Sequence, residues 1–220
     1  MRTTDTAARP ARAAPARLGP VPLVWAKAVI WVLGLLPAAR WVVLGVNDGL
    51  GANPAEFLIR SSGTFTLVAL LVTLAITPLR QLTGWSAWVR LRRLCGLFTF
   101  FYACLHLFGY LAFDQGFDVV AAWRDAWQRP LIAVGWLAWL GLLALALTSP
   151  QAAMRRLGRR WQTLHRTIYG LLALALLHFW LHRAGKNDFA DVWVFGATGL
   201  VLLAWRLAWP QWRRRQPRPA

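Results

Sequence analysis

Between residues 23 and 209 the sequence holds six stretches that are apolar over nearly their whole length, at 23–46, 64–79, 91–113, 131–147, 164–181 and 192–209. Each approaches the roughly 20 residues an α-helix needs to cross the hydrocarbon of a bilayer, and charged or Gly/Pro-containing breaks separate them. With 58% of 220 residues hydrophobic and 15 of them Trp, the chain carries more apolar surface than one water-soluble core can bury. The fold class this implies is all-α: a polytopic membrane bundle of six transmembrane helices. The second and fourth stretches are short, which predicts upright packing or local thinning of the bilayer around them.

The net charge of +17 is distributed by loop. The N-terminal tail with Lys27, the second loop, the fourth loop with Arg166 and the C-terminal segment together hold 19 of the 25 Lys and Arg but only Asp5 of the eight acids. By the positive-inside rule this set is cytoplasmic, so both termini are expected in the cytoplasm of a bacterial inner membrane protein. Because these charges punctuate apolar spans and form no continuous patch, nucleic-acid binding is not expected. Residues 1–21 read as a disordered basic tail, 22–209 as the membrane domain and 210–220 as a basic C-terminal tail. The first apolar stretch is long enough to span and lacks an A-x-A-like cleavage site, which disfavours a signal peptide. No Gly-rich phosphate loop or Walker sequence is present, no internal repeat is evident, and no soluble nucleotide-binding domain is expected on the chain.

Cys95 and Cys104 fall in the same span, about 13 Å of helical rise apart, too far to bridge; both read as small packing residues. No C-x-x-C-H sequence occurs, so any haem would be held without a covalent link to cysteine. The four histidines all lie within or at the ends of spans: His106 in the third, and His165, His178 and His182 in the fifth. A lone intramembrane histidine can serve as an interhelical hydrogen-bond donor. Two neighbouring helices that hold all four point instead to a shared ligand, and paired neutral imidazoles in lipid suit a haem iron.

Helical register selects the pair. The third and fifth spans run in the same direction, with His106 about 15 and His178 about 14 residues from their cytoplasmic ends, so these two are expected at one depth in the outer half of the membrane. His165 lies roughly 20 Å deeper and cannot share that iron. On an ideal helix it also points away from His178, unless a bulge resets the phase. Arg92, 14 residues before His106, returns to nearly the same helical face; there it can hold a propionate, a flavin phosphate or a quinone oxygen. Arg90 and Arg93 read as interfacial anchors. A quinol or flavin pocket is expected near His165, Arg92 and the basic loop residues Arg155, Arg156, Arg159 and Arg160. His182, one turn beyond His178, reads as an interfacial polar residue or a contact to a haem propionate.

Trp25, Trp41, Trp85, Trp88, Trp123, Trp127, Trp161 and Trp209 lie near expected interfaces, as in an aromatic belt, whereas Trp180 stands where it could pack on a porphyrin edge. Several motifs carry a family resemblance: Gly51-Ala-Asn-Pro-Ala-Glu56 with Ser62-Gly63, Ile76-Thr-Pro-Leu-Arg80, Arg92-Arg-Leu-Cys-Gly-Leu97, Leu105-His106, Thr148-Ser149, and Leu157-Gly-x-x-Trp161-x-x-Leu-His165-x-x-x-Tyr169 followed by His178. In order and spacing the chain resembles the haem-binding membrane subunits of the MsrQ family, within the ferric reductase-like transmembrane superfamily. The resemblance implies a cytochrome with haem b that passes electrons from the quinol pool to a periplasmic molybdopterin-dependent methionine sulfoxide reductase, with FMN as a second cofactor. It also implies that His106, His165 and His178 are the essential histidines. Competing readings are a stand-alone membrane cytochrome that reduces metal or oxygen, and a transporter or structural subunit whose histidines line a proton path.

Overall fold

The computed structural model of the chain describes residues 17–18, 21–185 and 187–215, so most of the expected N-terminal tail and residues 216–220 of the C-terminal one lie outside the described residues. A minimal antiparallel ribbon, Arg17–Leu18 with Val21–Pro22, leads into the first helix. The helices are α1 (Leu23–Val46), α2 (Pro54–Thr83), α3 (Trp88–Gly109), α4 (Val119–Gln128), α5 (Pro130–Leu147), α6 (Gln151–Leu157), α7 (Arg159–Arg166), α8 (Ile168–Ala184) and α9 (Ala190–Arg215). Six segments are long and apolar enough to cross a membrane: α1, α2, α3 with its extension, α5, α7–α8 and α9. Large apolar side chains on their outer faces, such as Val24 (75% exposed) and Trp193 (75%), would be untenable in water and suit lipid.

The second span is not short. Asn53 caps α2 by accepting from Glu56 N (3.1 Å), with Pro54 in the first turn, and Gly84, at φ +72°, closes the other end 30 residues on. That is about 45 Å of helix, longer than the hydrocarbon core, so no thinning is required. The polar run that hid the start of the span is internally satisfied. The hydroxyls of Ser61, Ser62, Thr64 and Thr66 each donate to the carbonyl four residues back, at 2.6–3.0 Å.

α2 and α3 pack along their lengths, α5 packs on α8, and α3–α5 contacts join the two pairs; α1 lies against α3, and α9 against α2 and α8. Leu67, Leu70, Leu71, Leu74 and Leu172 form the central core, with a second cluster of Ala103, Leu142, Leu145 and Leu171. Trp41 is 8% exposed and packs on Phe98 and Tyr102, so it belongs to the core rather than to an interfacial belt. Gly34 allows that approach: a methyl group there would lie 2.5 Å from the Phe98 ring, and its carbonyl accepts from the Tyr102 hydroxyl at 2.5 Å. Both cysteines are free, and Cys95 is buried.

All seven carboxylates among the described residues lie in the α1–α2, α3–α5 and α8–α9 connections or the helix starts beside them, which defines an acidic end; the other end is basic. At the acidic end α3 loosens into a π-turn over Tyr110–Asp114. The chain then forms the short amphipathic helix α4, capped by Asp118, whose side chain accepts from Ala121 N at 2.9 Å. The fifth span is two helices. At Thr167 the N–H reaches back three residues to Leu164 O (3.0 Å), a tighter turn that separates α7 from α8.

Candidate paired-histidine site

α3 and α8 bring His106 and His178 together, with ring centroids 5.9 Å apart and one ring edge-on to the other at 86°. Nδ1 of His106 lies 2.8 Å from Ile59 O on α2, and Nδ1 of His178 lies 2.9 Å from Leu131 O on α5. A carbonyl oxygen only accepts, so each neutral ring carries its proton on Nδ1 and keeps a lone pair on Nε2. This is the arrangement that orients a metal-binding imidazole and sets its tautomer.

The two clamps are copies of one device. Ile59, Gly63 and His106 recur as Leu131, Gly135 and His178, each 72 positions on, and so do Leu105 as Leu177 and Thr77-Pro78 as Ser149-Pro150. The internal repeat that the sequence did not make evident is thus present at the level of the helix pair. In both copies a glycine lies under the ring. A methyl group on Gly63 would stand 3.0 Å from His106 Cε1, and one on Gly135 would stand 2.8 Å from His178 Cε1.

Around the rings runs a cavity of about 330 Å³, within the range of small-ligand sites. Leu67, Leu70, Ala103 and Leu142 line its apolar depth, and Arg60, Tyr110, Arg129, His182 and Arg183 line its mouth toward the acidic end. The mouth is organised by ion pairs. Arg60 meets Glu56 at 3.0 Å, Arg183 meets Asp188 at 2.7 Å and also Asp191, and Arg129 meets Asp125, which in turn accepts from the Tyr110 hydroxyl at 2.6 Å. The hydrogen bonds from Arg129 hold the Asp125 carboxyl below the usual carboxylate range. In the lining, the buried donors Trp136 Nε1 and Arg183 Nε have no acceptor among the described residues.

Among the described residues no cluster of three or more His, Cys, Asp or Glu could complete a metal shell. A metal held by these two imidazoles would need further ligands from the group it is bound in. Two imidazoles sharing one metal through metal–nitrogen bonds of about 2 Å, with each nitrogen about 1 Å from its ring centre, would have centroids about 6 Å apart, close to the 5.9 Å found.

The other sequence-designated residues lie elsewhere. His165 accepts from or donates to Thr148 Oγ1 at 3.1 Å through Nε2 and stacks on Trp161 at 4.0 Å; Trp161 Nε1 donates to Thr148 O. Arg92 is half-buried and donates to Thr77 Oγ1 at 2.8 Å, whereas Arg90 and Arg93 are exposed. His182 lines the same cavity as His178. Trp180 does not line it. Trp180 is 46% exposed and stacks on Phe189, while Trp136, Trp139 and Phe179 take the places beside the rings.

A helix bundle with opposed histidines on two paired helices defines a class, and the comparisons agree: residues 61–176 match the ferric reductase-like transmembrane component. The chain belongs to that family and, within it, to the MsrQ family. It is 58% identical over 190 residues to the protein-methionine-sulfoxide reductase heme-binding subunit MsrQ of Bordetella pertussis, covering 86% of this chain and 91% of that one. The MsrQ of Ralstonia nicotianae is 48% identical over 200 residues, covering 90% and 92%. That of Herminiimonas arsenicoxydans is 46% identical over 197 residues, covering 89% and 90%. No solved structure matches the chain.

Proposed function

We propose that the chain is the b-type cytochrome subunit of a bacterial inner-membrane methionine sulfoxide reductase. Electrons enter from quinol at the basic, cytoplasmic end and leave at the acidic, periplasmic end for a molybdopterin-dependent reductase. The observation that carries this reading is the pair of reciprocal clamps, which leave Nε2 unprotonated on two rings whose centroids lie 5.9 Å apart. His106 and His178 are the residues that would hold haem b, and the unused donors of Trp136 and Arg183 would serve its carboxylates. Bound there, the haem supplies one-electron exchange between ferric and ferrous iron.

The protein's part is orientation and exclusion. Both rings are tied through Nδ1 to Ile59 O and Leu131 O, so two imidazoles would stay in place on the iron and disfavour oxygen binding there. The apolar lining keeps water from the inner part of the cavity, and the arginine mouth faces the side on which a partner would receive the electron. Quinol, and FMN as a second cofactor, are assigned to the basic end near Arg92, His165, Arg155, Arg156, Arg159 and Arg160. The test is a reduced-minus-oxidised absorption spectrum of the purified chain, with haem quantified per polypeptide. The expected result is a low-spin Soret and α-band that His106→Ala abolishes; a colourless wild-type protein overturns the reading.

A further inference from the structure

The two clamps rest on unequal supports. Ile59, whose carbonyl holds His106, is the sixth residue of α2, with a full helical turn and a capped start before it. Leu131, whose carbonyl holds His178, is only the second residue of α5. The first residues of a helix lack intrahelical partners for their N–H groups and fray first, so α5 alone would present the less firmly held carbonyl. The repeat of 72 positions shows where its missing turn went: residues 54–57, which open α2, correspond to 126–129, and these lie at the end of the separate helix α4.

One carboxylate takes over the task of that turn. Asp125, the counterpart of the α2 cap Asn53, lies in the last turn of α4 and gathers donors from three segments. It accepts from the Tyr110 hydroxyl at 2.6 Å and from Gln115 Nε2 at 3.3 Å, and its two oxygens take Nε and Nη2 of Arg129. Arg129 alone separates α4 from α5. Its N–H returns to Asp125 O at 2.9 Å, and its carbonyl accepts from Ile132 N at 2.9 Å and Ala133 N at 3.1 Å, the first bonds of α5. Tyr110 is buried and stands one turn beyond His106, to whose carbonyl its own N–H donates. Asp125 thereby ties the turn after His106 to the turn that carries Leu131. Its side chain is only 14% exposed, and a two-pronged arginine–carboxylate pair fixes direction as well as distance, which a surface ion pair does not.

We propose that Asp125 is a positioning residue: through Arg129 and Tyr110 it fixes the start of α5 against the end of α3, and so holds Leu131 O where it orients the imidazole of His178. The consequence for haem rests on the function proposed above, whereas the consequence for the ring does not. In the full-length apoprotein carrying isotope-labelled histidine, NMR follows the exchange of the Nδ1 protons of His106 and His178 with solvent. Wild type is compared with Asp125→Asn, Arg129→Gln, the double variant of these two, and Tyr110→Phe. Glu56→Gln is the comparison beside the other clamp, where it loosens Arg60 but leaves Ile59 within α2. Haem is then titrated into each protein and the g values of its ferric low-spin EPR spectrum are recorded.

Asp125→Asn is expected to speed exchange of the His178 proton about fivefold, the worth of one ordinary hydrogen bond, and to leave the His106 proton as in wild type. The double variant is expected to do no more than either single one, because both act through one junction. Haem affinity falls about 10- to 100-fold, with altered g values. Tyr110→Phe removes one donor and keeps the charge pair; its expected effect is about twofold, and it keeps the test decisive if Asp125→Asn fails to fold. Wild-type exchange of the His178 proton in folded Asp125→Asn or, where that variant does not fold, in Tyr110→Phe shows the proposal to be wrong, and so does an equal acceleration in Glu56→Gln. A wild-type protein that takes up no haem overturns the proposed function instead, and the proton exchange still decides the role of Asp125.

Discussion

Gly135→Ala puts a methyl group 2.8 Å from Cε1 and 3.0 Å from Nδ1 of His178. The ring must move, and the movement acts on the Nδ1–Leu131 O bond that sets its tautomer. In an ordinary helix interior the same substitution stabilises by up to about 1 kcal/mol, through propensity alone. At this position the helix gains that increment while the ligand ring loses its support. Losing an outer-sphere hydrogen bond to a metal-binding histidine lowers metal affinity about 10- to 100-fold. Gly135→Ala and, at a slightly looser 3.0 Å, Gly63→Ala are therefore expected to leave the apoprotein at least as resistant to heat as wild type while weakening haem by about that factor. Gly96→Ala is the control, since its new methyl would meet only Thr73 Cγ2 at 3.8 Å. The assay is titration of haem into apoprotein, followed at the Soret band, beside a thermal unfolding curve for each variant. Wild-type haem affinity in Gly135→Ala, or an equal loss in Gly96→Ala, would refute the cradle argument.

His178→Ala is expected to abolish haem binding, whereas His182→Ala keeps a low-spin spectrum with a shifted potential; difference spectra at matched protein level decide, and the reverse pattern would mean the ligand lies one turn further out. Reporter fusions after Val46, Phe113 and Arg183 should read periplasm, and fusions after Arg80, Arg156 and the C-terminus should read cytoplasm; a C-terminal reporter active only in the periplasm would invert the direction of electron flow. Because Arg129 lowers the folded-state pKa of Asp125, the Asp125–Arg129 contribution is fully present above the ordinary carboxylate range and is lost as pH falls through the depressed value. Emission from Trp123 and Trp127 on α4 should report that acid transition, and Asp125→Asn should remove it.

The depth match of His106 and His178 was legible because the segments before them are helical from the basic end, so counting residues measured height. His165 lies outside the cavity of His106 and His178, and its contact, Thr148 at the end of α5, could not be named because it depends on how α5 packs beside α7. The clamps were harder to read, because Ile59 and Leu131 act through backbone carbonyls, to which residue identity gives no clue. The signal that could have found them is the spacing Gly63 to Pro78, repeated as Gly135 to Pro150, which becomes visible only when the chain is aligned with itself at a shift of 72. The start of α2 was missed because hydropathy counts Ser and Thr as polar even when their hydroxyls are satisfied within the helix. Asp125 was hidden among the acidic residues of the connections; only the return of α4 to Tyr110 separates it from a surface charge.

The doubled clamp also bears on how the protein is made. Translation and membrane insertion deliver α2 and α3 first, and with them one complete half: a carbonyl, a glycine and an oriented imidazole. The matching half follows with α5 and α8, so cofactor capture must await nearly the whole polypeptide. Each half is held within its own helix pair, and the joint between the halves relies on contacts between the pairs and on whatever bridges the two rings. With haem held as proposed, the prosthetic group would be a clasp as well as a conductor, and a cell short of it would accumulate chains whose two hairpins are inserted but not locked together.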